Sequence, residues 1–305
     1  MNEEKALCFR WTACPACAGK SIRAYKKGTY SDRLTQDQIR ITDSQYGKTW
    51  DLSRCLDCGH IFANPCPSPE HIFSLYGRVE DPLYEEEAAG RARNFRPILD
   101  TLEKLAPAGG RFFDVGAATG ILLDLARHRG FVPDGIEPSA WAVRVAAEKY
   151  RLALRRGAFE TTALDPEPCA VVSMIDFIEH TPSPYKAVQN ANRILRPGGI
   201  LALVTPDIHS LAARIAGPRW WHYRPAHLAF FSRPSLEALL GRAGFSIIHE
   251  RRYAWTFSAH YLLSRKTAFS SLLRIRTLAS FLKKIPLKLA LGDSFEIYAR
   301  KDRPV

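Results

Sequence analysis

Arg111-Phe-Phe-Asp-Val-Gly-Ala-Ala-Thr-Gly120, continued by Ile121-Leu-Leu-Asp-Leu-Ala-Arg127, reads as strand, tight turn and helix. Residues 111–115 are a short apolar run with β-favouring side chains. Ile121, Leu122, Leu125 and Ala126 then recur at helical spacing. Between the two, small residues at 116, 117, 118 and 120 let a ligand approach the backbone. The helix start offers free N–H groups to that ligand. Asp114 stands near the end of the strand, where open α/β sheets bind ligands.

A glycine turn alone can simply permit a strand to enter a helix. A second feature adds to it: Phe131-Val-Pro-Asp-Gly-Ile-Glu137 is another short run that ends in an acid. A carboxylate at the end of the neighbouring strand can accept hydrogen bonds from both ribose hydroxyls of a nucleoside. A nicotinamide cofactor would fit the same outline. Against it, the turn is not a strict G-x-G-x-x-G, and Asp114 precedes it directly. An acid there suits an ammonium group and repels a pyrophosphate.

Asp114-Val-Gly-Ala-Ala-Thr-Gly120 resembles the first motif of class I S-adenosylmethionine-dependent methyltransferases, with Ala118 in place of the middle glycine. The resemblance continues through Val171-Val-Ser-Met-Ile-Asp-Phe-Ile-Glu-His180, Ile194-Leu-Arg-Pro-Gly-Gly-Ile200 and His227-Leu-Ala-Phe-Phe-Ser232, and covers roughly residues 60 to 300. It implies an α/β fold with a Rossmann-like seven-stranded sheet ending in an antiparallel hairpin. It also implies S-adenosylmethionine held by Asp114, Gly116, Ala118, Gly120, Glu137 and Asp176. The reaction would be in-line transfer of the sulfonium methyl to an O, N or C atom, with alignment as the protein's main contribution. Glu179-His180 is the family's recurring pair beyond the fourth strand. His180 and His227 are the candidate catalytic side chains; each could position or deprotonate an acceptor or only hold a loop.

Cys14-Pro-Ala-Cys17 and Cys55-Leu-Asp-Cys58 form two knuckles, each followed closely by glycine. Four thiolates at this spacing suit a closed tetrahedral zinc site; a redox disulfide or uncoordinated thiols are the alternatives. Residues 39–42 and 48–52 read as strands of a zinc ribbon. His60 reads as a structural neighbour of the cluster. The expected division is a zinc module at 1–70 and a methyltransferase domain at 71–305. Such a module before such a domain resembles one group acting on sugars and small metabolites and another modifying ribosomal RNA. Tyr76 and Tyr84 resemble tyrosines that precede the first motif in the small-molecule group, or are packing tyrosines.

Along the catalytic region, 97–105 reads as a helix, 140–150 as another, 152–156 as a third strand and 169–176 as a buried parallel strand. Residues 185–195 read as a helix closed by Gly198-Gly199, and 200–205 as the fifth strand. Trp220-Trp-His-Tyr223 follows that strand and could wall a substrate pocket or form a satellite core. Phe159 could stack on adenine or sit in the core. Residues 256–290 interleave Lys and Arg with Leu, Ile and Phe, with no acid. They read as amphipathic helices that pack on the domain with a solvated basic face or touch a lipid surface.

The 305 residues carry a formal charge of +12, and 46% are apolar. The apolar content is that of an ordinary globular protein. The charge permits nucleic acid, membrane surface or anionic substrate without choosing among them. Met1-Asn-Glu-Glu-Lys is charged and no apolar leader follows, so a cytoplasmic protein is expected. The resulting expectation is methyl transfer to a small or carrier-linked metabolite, such as a sugar or polysaccharide precursor. The other readings are an RNA methyltransferase and a non-catalytic module that binds S-adenosylmethionine or acts as a zinc adaptor. Specific nucleic-acid binding is not expected, and peripheral membrane contact through 256–290 is a further expectation.

Overall fold

The N-terminal part contains β1 (Cys8–Phe9), β2 (Ile22–Lys26), α1 (Gln36–Ile39), β3 (Leu52–Cys55), β4 (Ile61–Ala63) and β5 (Cys66–Pro67). The helices α2 (Pro69–Tyr76), α3 (Pro82–Glu86) and α4 (Ala88–Leu105) follow. The computed structural model describes residues 8–30, 34–42, 45–106, 109–164, 168–265 and 272–305. The strands expected at 39–42 and 48–52 do not form, apart from Leu52 at the start of β3. Residues 36–39 are helical instead, because Thr35 and Gln38 make a reciprocal capping box in which Gln38 Oε1 accepts from the Thr35 amide. The ribbon is built from β2, β3 and β4.

The helix expected from Pro97 starts nine residues earlier. Pro97 lies inside α4 and removes one backbone donor, but Phe95, Ile98, Leu99 and Leu102 are buried around it and hold the helix through the break.

The catalytic region runs β6 (Arg111–Val115), α5 (Ile121–His128), β7 (Val132–Glu137), α6 (Ala140–Tyr150), β8 (Arg155–Arg156), β9 (Cys169–Ile175), α7 (Pro184–Ile194) and β10 (Leu195–Pro206). It continues with α8 (Leu211–Ala216), β11 (Ala229–Phe230), α9 (Arg233–Arg242), β12 (Phe245–Arg252), β13 (Trp255–Ser258), α10 (Ala259–Ser264), α11 (Arg276–Lys284), β14 (Pro286–Leu289) and β15 (Ser294–Lys301). The main sheet has seven strands in the order β12-β15-β10-β9-β6-β7-β8. β6, β7, β8, β9 and β10 are parallel, and β15 runs antiparallel to both β10 and β12. This is the expected Rossmann-like methyltransferase sheet. The third strand is shorter than read: only Arg155 and Arg156 pair, while Leu152 and Leu154 pack into the core.

The turn after α7 also differs from expectation. The helix is capped by Leu195 in extended conformation, and β10 begins there. Gly198, at φ 72°, falls inside an irregularity of the β10–β9 ladder between Leu195 and Ile200.

A second sheet of four strands, β11-β4-β3-β2, crosses the boundary expected at residue 70. Phe62 of β4 pairs with Ala229 of β11. One apolar cluster joins Trp50, Ile61 and Ile72 to Trp220, Tyr223 and Phe230. The N-terminal module and the loop after β10 therefore share both a sheet and a core. The 256–290 insertion is part strand: β13 pairs with β14 around α10 and α11. Residues 266–271 of that insertion, including Lys266, lie outside the described residues.

Candidate active site

A cavity of about 390 Å³ opens at the C-terminal ends of β6, β7 and β9. Gly116, Ala118, Glu137 and Asp176 line it, four of the six residues expected to hold the cofactor. The turn is shaped by positive φ at Gly116 (70°), Ala118 (47°) and Gly120 (85°). A Cβ on Gly116 would stand 3.1 Å from the Phe177 ring, so this position is closed to larger residues. Gly120 lies behind the lining, and a Cβ there would meet Leu152 at 2.7 Å. Its role in the turn is packing between α5 and the 152 segment.

Glu137 is tied to the turn. Its Oε2 accepts from the Ala118 amide at 2.9 Å and its Oε1 from the Ser139 amide at 2.8 Å. Burial pushes its carboxyl up to about 7 against the pull of these two amides. Each oxygen retains lone-pair capacity for a ligand hydroxyl. Asp114 is placed differently: it is absent from the lining and accepts from the Ser173 hydroxyl on β9. Burial pushes it, too, up to about 7, with the Ser173 bond opposing. Asp176, at φ 52°, lines the cavity and is likewise raised to about 7 by burial, with the charges of Arg91 and Arg224 opposing.

The far side of the cavity carries His180. Its Nδ1 lies 3.1 Å from the Ala226 carbonyl and 3.0 Å from the Tyr76 hydroxyl. A carbonyl can only accept, so Nδ1 carries the hydrogen and Nε2 is the basic nitrogen. Burial, assisted by the charge of Arg224, lowers this imidazole to about 3 and keeps it neutral. His227 meets it edge-on, with ring centroids 4.6 Å apart, but does not line the cavity. Its Nδ1 is buried without a hydrogen-bond partner among the described residues, and burial holds its pKa well below the usual value. Glu179, His180 and His227 bring donor atoms within 4.8 Å of one another. Glu179 already accepts from Thr205, and the positive charge of Arg224 acts on both histidines, which opposes a cation there.

The wall around His180 was only partly legible in the sequence. Tyr76 and Tyr84 do line the cavity, as does Phe159, which is also packed against Phe113. Ile39 and Ile41 of the N-terminal module and Phe73, Val79 and Trp141 complete an apolar surface, and Lys186 is the one Lys or Arg among the described lining residues. Arg91 lies over the Tyr84 ring at 3.6 Å, and Arg224 reaches the carbonyls of Arg40 and Ile41. No pattern pointed to these two arginines; contacts made across 7 and 184 positions have no local signature. The aromatic run is a correction. Trp220 is fully buried and Tyr223 nearly so, packed on each other in the core shared with the module. The Trp221 indole donates to Asp293, and His222 Nε2 lies 3.1 Å from the same carboxylate. None of the four lines the cavity, so they give no ring-binding wall for a sugar.

The four knuckle cysteines converge. Cys14 Sγ lies 3.7 Å from Cys58 Sγ, and Cys17 Sγ lies 3.6 Å from Cys55 Sγ. A tetrahedron of sulfurs about 2.3 Å from zinc has edges of about 3.8 Å, whereas a disulfide needs about 2.05 Å. The Gly19 amide donates to Cys17 Sγ at 3.3 Å, and Ala18 and Gly59 take positive φ to close the knuckles. This donor set fits zinc. His60 is buried beside it, stacked on Phe62 and tilted against Phe231, in the structural place expected. Cys8, Cys66 and Cys169 lie outside the cluster.

A family model described as a methyltransferase domain matches residues 86–250. The chain is 30% identical over 198 residues to a ubiquinone biosynthesis O-methyltransferase of Ralstonia nicotianae, covering 56% of this chain and 81% of that protein. It is 28% identical over 194 residues to the protein of the same name from Leptothrix cholodnii, covering 59% and 82%. Among solved structures, an S-adenosylmethionine-dependent methyltransferase of Thermotoga maritima, described as a possible histamine N-methyltransferase, is similar at 19% identity and a TM-score of 0.45, covering 72% of this chain and 92% of that one.

Proposed function

The chain belongs to the methyltransferase domain family and is an S-adenosylmethionine-dependent methyltransferase, and from that premise we propose that its acceptor is a hydroxyl on a small, largely apolar molecule, free or carrier-linked. The observation that carries the reading is the wall beside His180, where Ile39, Ile41, Phe73, Tyr76 and Tyr84 meet a single imidazole and Lys186 is the one Lys or Arg among the described lining residues, with Arg91 and Arg224 standing behind the lining. An RNA acceptor would bring phosphates that this wall does not match. The relatives' name, O-methyltransferase, supports oxygen as the acceptor atom.

Gly116, Ala118, Glu137 and Asp176 would hold the cofactor, Glu137 at the ribose hydroxyls. When bound, S-adenosylmethionine supplies an electrophilic methyl group on a sulfonium. His180 receives the acceptor's proton at Nε2. A neutral, weakly basic imidazole suffices, because the hydroxyl becomes strongly acidic as its oxygen shares a lone pair with the methyl carbon and takes on positive charge. Ala226 fixes the tautomer, Tyr76 fixes the ring, and His227 packs edge-on behind it. The apolar wall excludes water and orients the acceptor. Zinc on Cys14, Cys17, Cys55 and Cys58 has a structural role: it holds the module that contributes Ile39 and Ile41 to the wall.

Incubating the protein with methyl-labelled cofactor and a panel of short-chain prenylated phenols, nucleotide sugars and ribosomal RNA tests this. Label is expected in a phenolic ether. Label confined to RNA would overturn the reading.

A further inference from the structure

We propose that α11 and β14, in the insertion between β12 and β15, form a docking surface for an anionic lipid bilayer. Over residues 272–291 the chain carries five Lys or Arg and no acid. None of the residues of α11 is buried. Phe281 is 60% exposed, and Ile275, Leu287 and Leu291 also stand in solvent. Of the basic residues, Lys283 pairs with Glu86; Arg274, Arg276, Lys284 and Lys288 make no ion pair among the described residues. Phe281 and Lys284 are three positions apart on α11 and so share a helix face.

Unpaired cations interleaved with exposed apolar side chains match the headgroup and acyl boundary of an anionic membrane, where the charges meet lipid phosphates and the apolar groups leave water. A nucleic acid would satisfy only half of this pattern. Phe281 offers one ring, but Ile275, Leu287 and Leu291 are aliphatic and offer none for a base to stack on.

The surface lies beside the cavity. Lys283 Nζ is 3.0 Å from Glu86 Oε2 at the end of α3, and Tyr84 of the same helix lines the cavity. β13 and α4 are also tied, through Asn94 to the Thr256 backbone at 2.6 and 3.1 Å. A bilayer seated on α11 would therefore lie next to the apolar wall. An acceptor with an apolar body could pass from lipid to cavity without crossing bulk water. The docking surface itself does not depend on what the acceptor is.

Co-sedimentation of the full chain with phosphatidylcholine vesicles, with and without phosphatidylglycerol, tests the proposal. Binding is expected only to the anionic vesicles, weakening as salt screens the charges. Removing one cation at a time, as Lys284→Ala or Lys288→Ala, should lower partitioning about fivefold. Phe281→Asp should abolish it, while calorimetry with S-adenosylhomocysteine finds cofactor affinity unchanged and the fold therefore intact. Equal binding to neutral and anionic vesicles, vesicle binding indifferent to Phe281→Asp, or tight binding of a single-stranded RNA oligonucleotide without vesicle binding would each overturn it.

Discussion

Replacing Glu137 by alanine should damage cofactor binding and stability together, whereas Asp114→Asn should spare binding. Glu137 Oε2 and Oε1 hold the Ala118 and Ser139 amides at 2.9 and 2.8 Å, and the carboxylate also lines the cavity. Losing a charged acceptor for the ribose hydroxyls costs about 1.5–3 kcal/mol, which is roughly ten- to 150-fold in Kd. The two amides lose their partner as well. Left dry they would cost about 1–3 kcal/mol each, but the cavity beside them admits water to the space left, so the total should lie near the lower end. Unfolding should shift down by about 2–4 °C per kcal/mol. Asp114, bonded to Ser173 and off the lining, should change affinity less than about threefold as asparagine, for it makes no direct contact of the kind whose loss costs more. Calorimetric titration with S-adenosylhomocysteine, beside thermal unfolding of the same samples, measures both. The reasoning fails if Glu137→Ala binds as wild type, or if Asp114→Asn loses as much.

His180→Gln should lower turnover about 10²–10⁴-fold with S-adenosylhomocysteine affinity retained, and His227→Gln should cost less, since it acts through the other ring; equal loss in both would remove the distinction. The purified chain should contain one zinc, and cobalt in its place should show thiolate charge-transfer absorption; Cys55→Ser should lose the metal and melt at lower temperature, so metal analysis that finds none in protein made without chelators refutes the site. Asp114 is raised to about 7 in the folded protein from an ordinary value near 3.8, so the folded state binds the extra proton and wild-type stability from this group falls as pH rises from about 4 to 7. Asp114→Asn removes that loss, so its melting temperature should climb relative to wild type across this window, and a flat difference would count against the raised pKa.

Much of the fold around the half of the cavity proposed for the cofactor was readable from residues 111–137, because strand, turn and helix follow one another there and each carries its own period. Glu137 follows from an acid at the end of the next strand. Asp114 was misread in one respect: the spacing shows where it sits in the strand, but not that Ser173, 59 residues away, takes its carboxylate. The acceptor half was less legible because its wall comes from Ile39, Tyr76, Trp141 and His180, which lie far apart along the chain. The Trp220–Tyr223 run shows why composition misleads there. Aromatic side chains serve a pocket or a core equally well, and the deciding fact is contact with Trp50, Ile61 and Ile72 of the module. The strand read at 39–42 was misplaced because Thr35-x-x-Gln38, a helix-start signal present in the sequence, outweighed the β-branched residues after it.

The pairing of Phe62 with Ala229 also sets an order of events during synthesis. β2, β3 and β4 leave the ribosome long before β11 exists. At about 5–20 residues per second, the wait across the intervening stretch is on the order of ten to thirty seconds. Throughout it, β4 presents an unpaired edge, and the apolar residues that will cover Trp220 have nothing to cover. An open edge of this kind invites pairing with the wrong chain. The cysteine cluster draws only on residues 14–58, so it can close early and hold β3 against β2 during the interval. With zinc bound there as proposed, metal supply would govern how much newly made chain reaches the finished enzyme, apart from any effect on the enzyme once made.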